Sequence, residues 1–162
     1  MLYLHRLLRP GLAFAVIGLS ACTAADPVLP TSALTPYSRD TGQAPQGSVD
    51  ALIVHYAGVY DLPVDLVRRV VKRESNFNPK ARNGPYWGLM QILPQTARTM
   101  GYRGSASGLL DAGTNLKYSV KYLRGAYITA GGNHDQAVRF YARGYYYDAK
   151  RKGLLKETGL RS

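Results

Sequence analysis

Glu74 is one of two glutamates in the chain, the other being Glu157. It stands near the end of the segment "LPVDLVRRVVKRES", four residues after Val70 and three after Val71. A helix here places its carboxyl on the apolar face, close to a C-terminus whose dipole disfavours an anion. Burial at that place penalises the charged form and raises the pKa, the condition for a general acid near neutral pH. Pairing with Lys72 or Arg73 would do the opposite, and the pattern leaves both open.

Two-carboxylate chemistry has little to draw on nearby. Asp65 is nine residues upstream, about 13 Å along a helix, and the next acid downstream is Asp111. Distance in sequence weakens that chemistry without excluding it. The histidines, His5, His55 and His134, are scattered, so no metal site is expected. There is no Gly-x-Ser-x-Gly elbow and no phosphate loop, and no cofactor is expected.

The elements that must position Glu74 read as helices. Ser48 is a candidate N-cap for "VDALIVHYAGVYDLP". In the next segment Pro63 suits a first turn and Asp65 complements the dipole. Leu66, Val67, Val70 and Val71 make an apolar stripe opposite Arg68, Arg69, Lys72 and Arg73. A third helix, about Asp111 to Thr129, aligns Leu116, Val120, Leu123 and Tyr127 and stops at "GG". Asn115 either orients the loop around Glu74 or satisfies that helix's start, and the helix start is the expectation. The predicted fold class is mainly α with little or no β-structure.

The N-terminal region has a different character. His5, Arg6 and Arg9 precede the apolar run "GLAFAVIGLSA", which is too short to span a membrane and reads as an export signal. It ends at "LSAC", which resembles the bacterial lipobox, and Cys22 is the only cysteine. A lone thiol forms no internal disulfide, so lipidation of Cys22 is the expectation. The Pro-, Thr- and Ser-rich residues that follow suit a flexible tether. The expected organisation is a signal peptide over 1–21, a tether over 22–48 and a catalytic domain over 49–162 with a basic tail.

Charge points to an anionic partner. Lys and Arg number 21 against 10 acids, a net charge of +11. Loss of residues 1–21 takes Arg6 and Arg9 from the 21 basic residues, leaving 19 against 10 and a charge of +9. With 13 tyrosines, this fits the charge-and-stacking pattern of single-strand nucleic-acid binders. Export and the absence of a recognition motif argue against nucleic acid. The basic "RGYYYDAKRKGLLKETGLRS" tail is expected to be a solvated face, with a last helix or a partner contact as alternatives.

Four motifs in order, "ESNFNPKARN", "GLMQILPQTA", "NLKYSVKYL" and "FYARG", resemble the family 1 lytic transglycosylases, which carry a goose-lysozyme-like domain and cut peptidoglycan. The resemblance covers roughly residues 52 to 147. It implies a lysozyme-like helical domain in which Glu74 is the catalytic acid and then base, closing a 1,6-anhydro ring without consuming water. It also implies that Ser75 lies near the substrate acetamido group, that Met90 and Gln91 wall a sugar cleft, and that the Tyr141 hydroxyl bonds Glu74. For Ser75 a hydroxyl closing a helix, and for Met90 core packing, remain alternatives. Gly88 would serve a turn or a close backbone approach. Tyr86 and Trp87 could stack on sugars or pack in the core.

Phe140 and Ala142 stand where the family has Ala and Asn around its tyrosine, and Ser119 stands where it has Gly. The implied partners are peptidoglycan glycan strands, the membrane through Cys22 and a wall-spanning assembly of unknown identity. The implied location is the periplasm, anchored at the outer membrane, since Thr23 rather than Asp follows the cysteine. A lysozyme-like hydrolase and a non-cutting glycan-binding module are the competing functions.

Overall fold

The computed structural model describes residues 47–161. The expected signal peptide, Cys22 and the tether up to residue 46 lie outside the described residues. Helix α1 is Val49–Val59, capped by Ser48, whose hydroxyl accepts from the Ala51 amide at 3.3 Å. Asp61, with φ +49°, turns the chain, and α2, Val64–Ser75, starts after Pro63. A hairpin of two short strands, β1 (Arg82–Asn83) and β2 (Tyr86–Trp87), pairs Arg82 with Trp87 and Asn83 with Tyr86. Then come α3 (Pro94–Thr99), a 3₁₀ turn (Ala106–Leu110), α4 (Ala112–Thr129), α5 (His134–Arg143) and α6 (Tyr146–Arg151). The mainly α expectation holds, and this hairpin is the one sheet among the described residues.

The core gathers where the apolar stripes meet. Leu66, Val67, Val70 and Val71 of α2 and Leu116, Val120 and Leu123 of α4 are fully buried, and α1 and α5 pack against α4. A smaller cluster of Ile92, Ala97, Tyr102 and Leu109 supports the loop region after the hairpin. The C-terminal segment is more than a solvated basic face. Tyr145 is buried and donates to the Tyr122 carbonyl at 2.9 Å, and Lys152 donates to the Thr129 carbonyl at 2.7 Å. A tyrosine buries well when its hydroxyl finds an acceptor, and that ties the tail to α4.

The helix-start expectation for Asn115 is corrected. Asp111 caps α4, its carboxylate accepting from the Thr114 amide at 2.7 Å. Asn115 is instead fully buried, where its side-chain oxygen accepts from the Met90 amide at 3.0 Å and its nitrogen donates to the Trp87 and Leu109 carbonyls at 2.8 Å each. One turn later, buried Ser119 donates to the same Asn115 oxygen at 3.4 Å. The serine that replaces a family glycine therefore has a polar partner.

Gly88 is bound to this arrangement by shape. Its φ is +69°, and a Cβ there would run into the Asn115 amide and the Leu109 carbonyl. Gly84, in the hairpin turn, also has a positive φ, +55°, yet has open space around it. Ala at Gly84 should therefore cost only the left-handed backbone term, about 1 kcal/mol. Ala at Gly88 adds overpacking and should cost about 3 kcal/mol. Urea unfolding of the two variants checks the order, and equal losses would contradict the packing argument.

Candidate active site

Helix α2 carries Glu74 to the edge of the core. Asn76 caps the helix in the left-handed region with φ +49°, its amide bonded to the Lys72 carbonyl, and Phe77 follows with φ +65°. A left-handed aromatic residue is costly. Its partly buried ring packs on the main core, which supports the conformation. The corner turns the chain away immediately after Glu74, and Asn78 steadies the exit by accepting from the Lys80 amide at 2.9 Å.

Glu74 opens into a cleft of about 670 Å³, with Gln91, Tyr86, Tyr122, Tyr141, Arg73 and Arg143 among its lining residues. Its side chain is 21% exposed, and the Arg73 Nε lies 3.6 Å from its Oε1. Both influences left open by the sequence act on it. Burial raises its pKa above the ordinary 4.5 and is the larger effect, while the half-exposed Arg73 guanidinium pulls the other way. The carboxyl thus keeps its proton to higher pH than a free glutamate. Glu74 is the only carboxylate among the described residues lining the cleft.

The wall opposite α2 comes from the loop after β2. Gln91 has φ +47°, and its side-chain nitrogen donates to the Gly88 carbonyl at 2.8 Å and the Ala81 carbonyl at 3.2 Å. Both amide hydrogens serve the loop, which leaves Oε1 as an acceptor for the cleft. Met90 contributes differently. Its side chain is fully buried in the main core, and its carbonyl accepts from the Tyr141 hydroxyl at 2.8 Å. The Tyr141 hydroxyl thus donates to Met90 rather than to Glu74, and its oxygen keeps its acceptor capacity. Burial drives the Tyr141 hydroxyl well above its ordinary pKa, with Ser119 opposing and the nearby Glu74 charge adding, so it remains a neutral donor.

Glu74, Gln91 and Tyr141 share the cleft, while Ser75 and Met90 are not among its lining residues. The Ser75 hydroxyl donates to the Val71 carbonyl at 3.2 Å, back into its own helix. The two aromatics before Gly88 separate. Tyr86 is 42% exposed and lines the cleft, whereas Trp87 packs on the smaller cluster with the Arg82 guanidinium 3.7 Å from its ring centre.

Among the cleft residues that sequence reasoning did not single out is Tyr122, although it sits within the quoted "NLKYSVKYL". Its ring meets those of Tyr141 and Tyr145 at 5.5 and 4.8 Å, and burial raises its hydroxyl pKa. Among the described residues no group of three His, Cys, Asp or Glu side chains could hold a metal ion. A half-buried acid in an open, partly aromatic groove suits proton transfer to an extended polar substrate.

No solved structure matches the chain. The family model described as "Transglycosylase SLT domain" matches residues 51–158, most of the chain and every element from α1 to α6 except the first two residues of α1. Taken with the helical fold and the acid at the cleft, that match shows that this chain belongs to the SLT-domain transglycosylases, a family of lytic transglycosylases that act on peptidoglycan.

Proposed function

We propose that the protein cuts the β-1,4 bond between muramoyl and glucosaminyl residues without water, in the manner of the family 1 enzymes, with Glu74 as both acid and base. The observation that carries this reading is that Glu74 is the single carboxylate among the described residues lining the cleft. Hydrolytic glycosidases use two carboxylates about 5 to 9.5 Å apart, one of them as nucleophile or base. A route that needs one acid requires the substrate to supply the rest. Glu74 gives its proton to the glycosidic oxygen as the C1–O bond breaks, and the muramoyl 2-acetamido oxygen bonds C1. The Glu74 carboxylate then takes the proton of the C6 hydroxyl, whose oxygen attacks C1, displaces the acetamido oxygen and closes the 1,6-anhydro ring. The acid is regenerated, and a pKa raised toward the working pH suits both halves of the cycle.

Gln91, through Oε1, and Tyr122, both cleft-lining, would hydrogen-bond the strand, and Tyr141 holds the Met90 carbonyl and with it the loop that presents Gln91. The Ser75 hydroxyl, now bonded within α2, would have to turn outward to meet an acetamido group. Lipidation of Cys22, with a tether reaching from the outer membrane to the wall, completes the proposal.

Mass spectrometry of digested peptidoglycan separates the competing functions. Anhydro ends, one water lighter than reducing ends, are expected from the wild type, and Glu74→Gln should lower their rate at least about a hundredfold. Reducing ends would indicate a hydrolase, and intact strands a binding module.

The pH profile offers a second test. Because the first step needs protonated Glu74, kcat/KM should fall as pH rises through its pKa. Arg73 favours the carboxylate, so Arg73→Ala should move that alkaline limb to higher pH. Movement to lower pH would contradict the assignment.

For the anchor, Cys22→Ala should release the protein from the membrane fraction. A variant that still sediments with membranes would refute lipidation at that residue.

A further inference from the structure

Given the glycan-cleaving function proposed above, we infer that Arg73 and Arg143 form a carboxylate-recognising pair that selects strands by the acidic substituent on the muramoyl residue. Apart from Glu74 they are the only charged residues among the described residues lining the cleft. Arg73 belongs to α2 and Arg143 to the last turn of α5, so the cations reach the groove from different elements. The sugar backbone itself is neutral and offers a guanidinium no ionic partner. The carboxylates of peptidoglycan lie on the muramoyl side chain, either in the acidic peptide or, once that is removed, on the lactyl group. Planar guanidiniums suit such groups through paired N–H donors.

Arg143 is held ready for this. Its guanidinium lies 4.9 Å from the centre of the Phe140 ring and donates to Asp148 at 3.0 Å. Asp148 is only 15% exposed and is shared, since its other oxygen accepts from Arg151 at 2.7 Å. One carboxylate between two guanidiniums leaves the trio with a net positive charge, and Arg143, its member that lines the cleft, is 57% exposed and still has N–H groups for a ligand. This places a reason on the altered residues around Tyr141. Phe140 supplies the face that Arg143 lies against, and the small Ala142, which also lines the cleft, leaves that wall uncrowded. Arg73 has Glu74 as its one ion-pair partner among the described residues, at 3.6 Å with half its side chain exposed.

The test uses the full protein and three substrates: peptide-bearing glycan strands, the same strands with every carboxyl converted to a methylamide, and amidase-stripped strands with free lactyl carboxylates. The second substrate keeps the size and removes only the charge. Initial rates of anhydro-product release from the first should exceed those from the second by about fivefold, as expected for ion pairs in a partly solvated groove. That ratio should fall toward one in Arg143→Ala, be partly kept in Arg143→Lys, and shrink in high salt. Stripped strands cut as fast as native ones would assign the recognised group to the lactyl carboxylate, and stripped strands cut slowly would assign it to the peptide. Equal wild-type rates on native and methylamidated strands, or an undiminished ratio in Arg143→Ala, would overturn the pair. If no substrate yields anhydro product, the cleavage function fails by itself. Binding of native against methylamidated strands, measured by co-sedimentation, then decides the arginine pair independently.

Discussion

The buried side-chain amide of Asn115 is the interaction on which the cleft depends. It accepts from Met90 and donates to Trp87 and Leu109, binding α4 to the hairpin, the loop after it and the 3₁₀ turn in one place. Without it the Met90 amide and the Leu109 carbonyl would be buried backbone groups lacking this partner, at a cost of about 1–3 kcal/mol apiece, whereas the Trp87 carbonyl also accepts from the Ile92 amide. Tyr141 extends the same network to α5 by donating to the Met90 carbonyl. The loop that presents Gln91 is thus clamped from α4 through its amide and from α5 through its carbonyl, and Gly88 lets it come close enough. A cleft wall built from loop backbone gains its rigidity from these few side chains.

Against that wall the fold holds an acid in an unfavourable place. Glu74 sits at the end of an apolar stripe, near the negative end of the helix dipole, with its carboxyl mostly withdrawn from water. Two left-handed residues, Asn76 and Phe77, follow after Ser75. Both features cost stability and are supported by the packing of α2 on α1 and within the main core. Arg73 moderates the penalty without removing it. The outcome is a group that can release a proton and take one back, which is what a single-acid cycle asks of it.

Helices α1, α2 and α4 were readable because their signals are local, whereas α3 and α5 were not singled out. The stripes on α2 and α4, the Ser48 cap and the double-glycine stop depend on residues a few positions apart. Glu74 could be singled out for the same reason, as a rare carboxylate on a predicted apolar face. The tertiary hydrogen bonds were not readable. Asn115 near a helix start looks like a cap, and only its burial against a loop 25 residues away in sequence shows otherwise. Tyr141 was expected to reach Glu74, but the competing acceptor is a backbone carbonyl, which carries no trace in the sequence. Tyr122 hid in a pattern read for its apolar stripe. The shared use of Asp148 by Arg143 and Arg151 needs the turn between α5 and α6, and a run of basic residues resembles any solvated face.

The central claim is that burial at the end of α2 keeps the Glu74 proton despite the arginine beside it. With only two glutamates in the chain, selective carbon-13 labelling of glutamate gives two side-chain carboxyl resonances, and Glu157→Gln assigns them. Their chemical shifts can be followed across pH in the free protein. The Glu74 signal is expected to titrate with a midpoint above the ordinary 4.5. A midpoint at or below that value would show that Arg73 outweighs burial, and the account of Glu74 as a poised acid would be wrong.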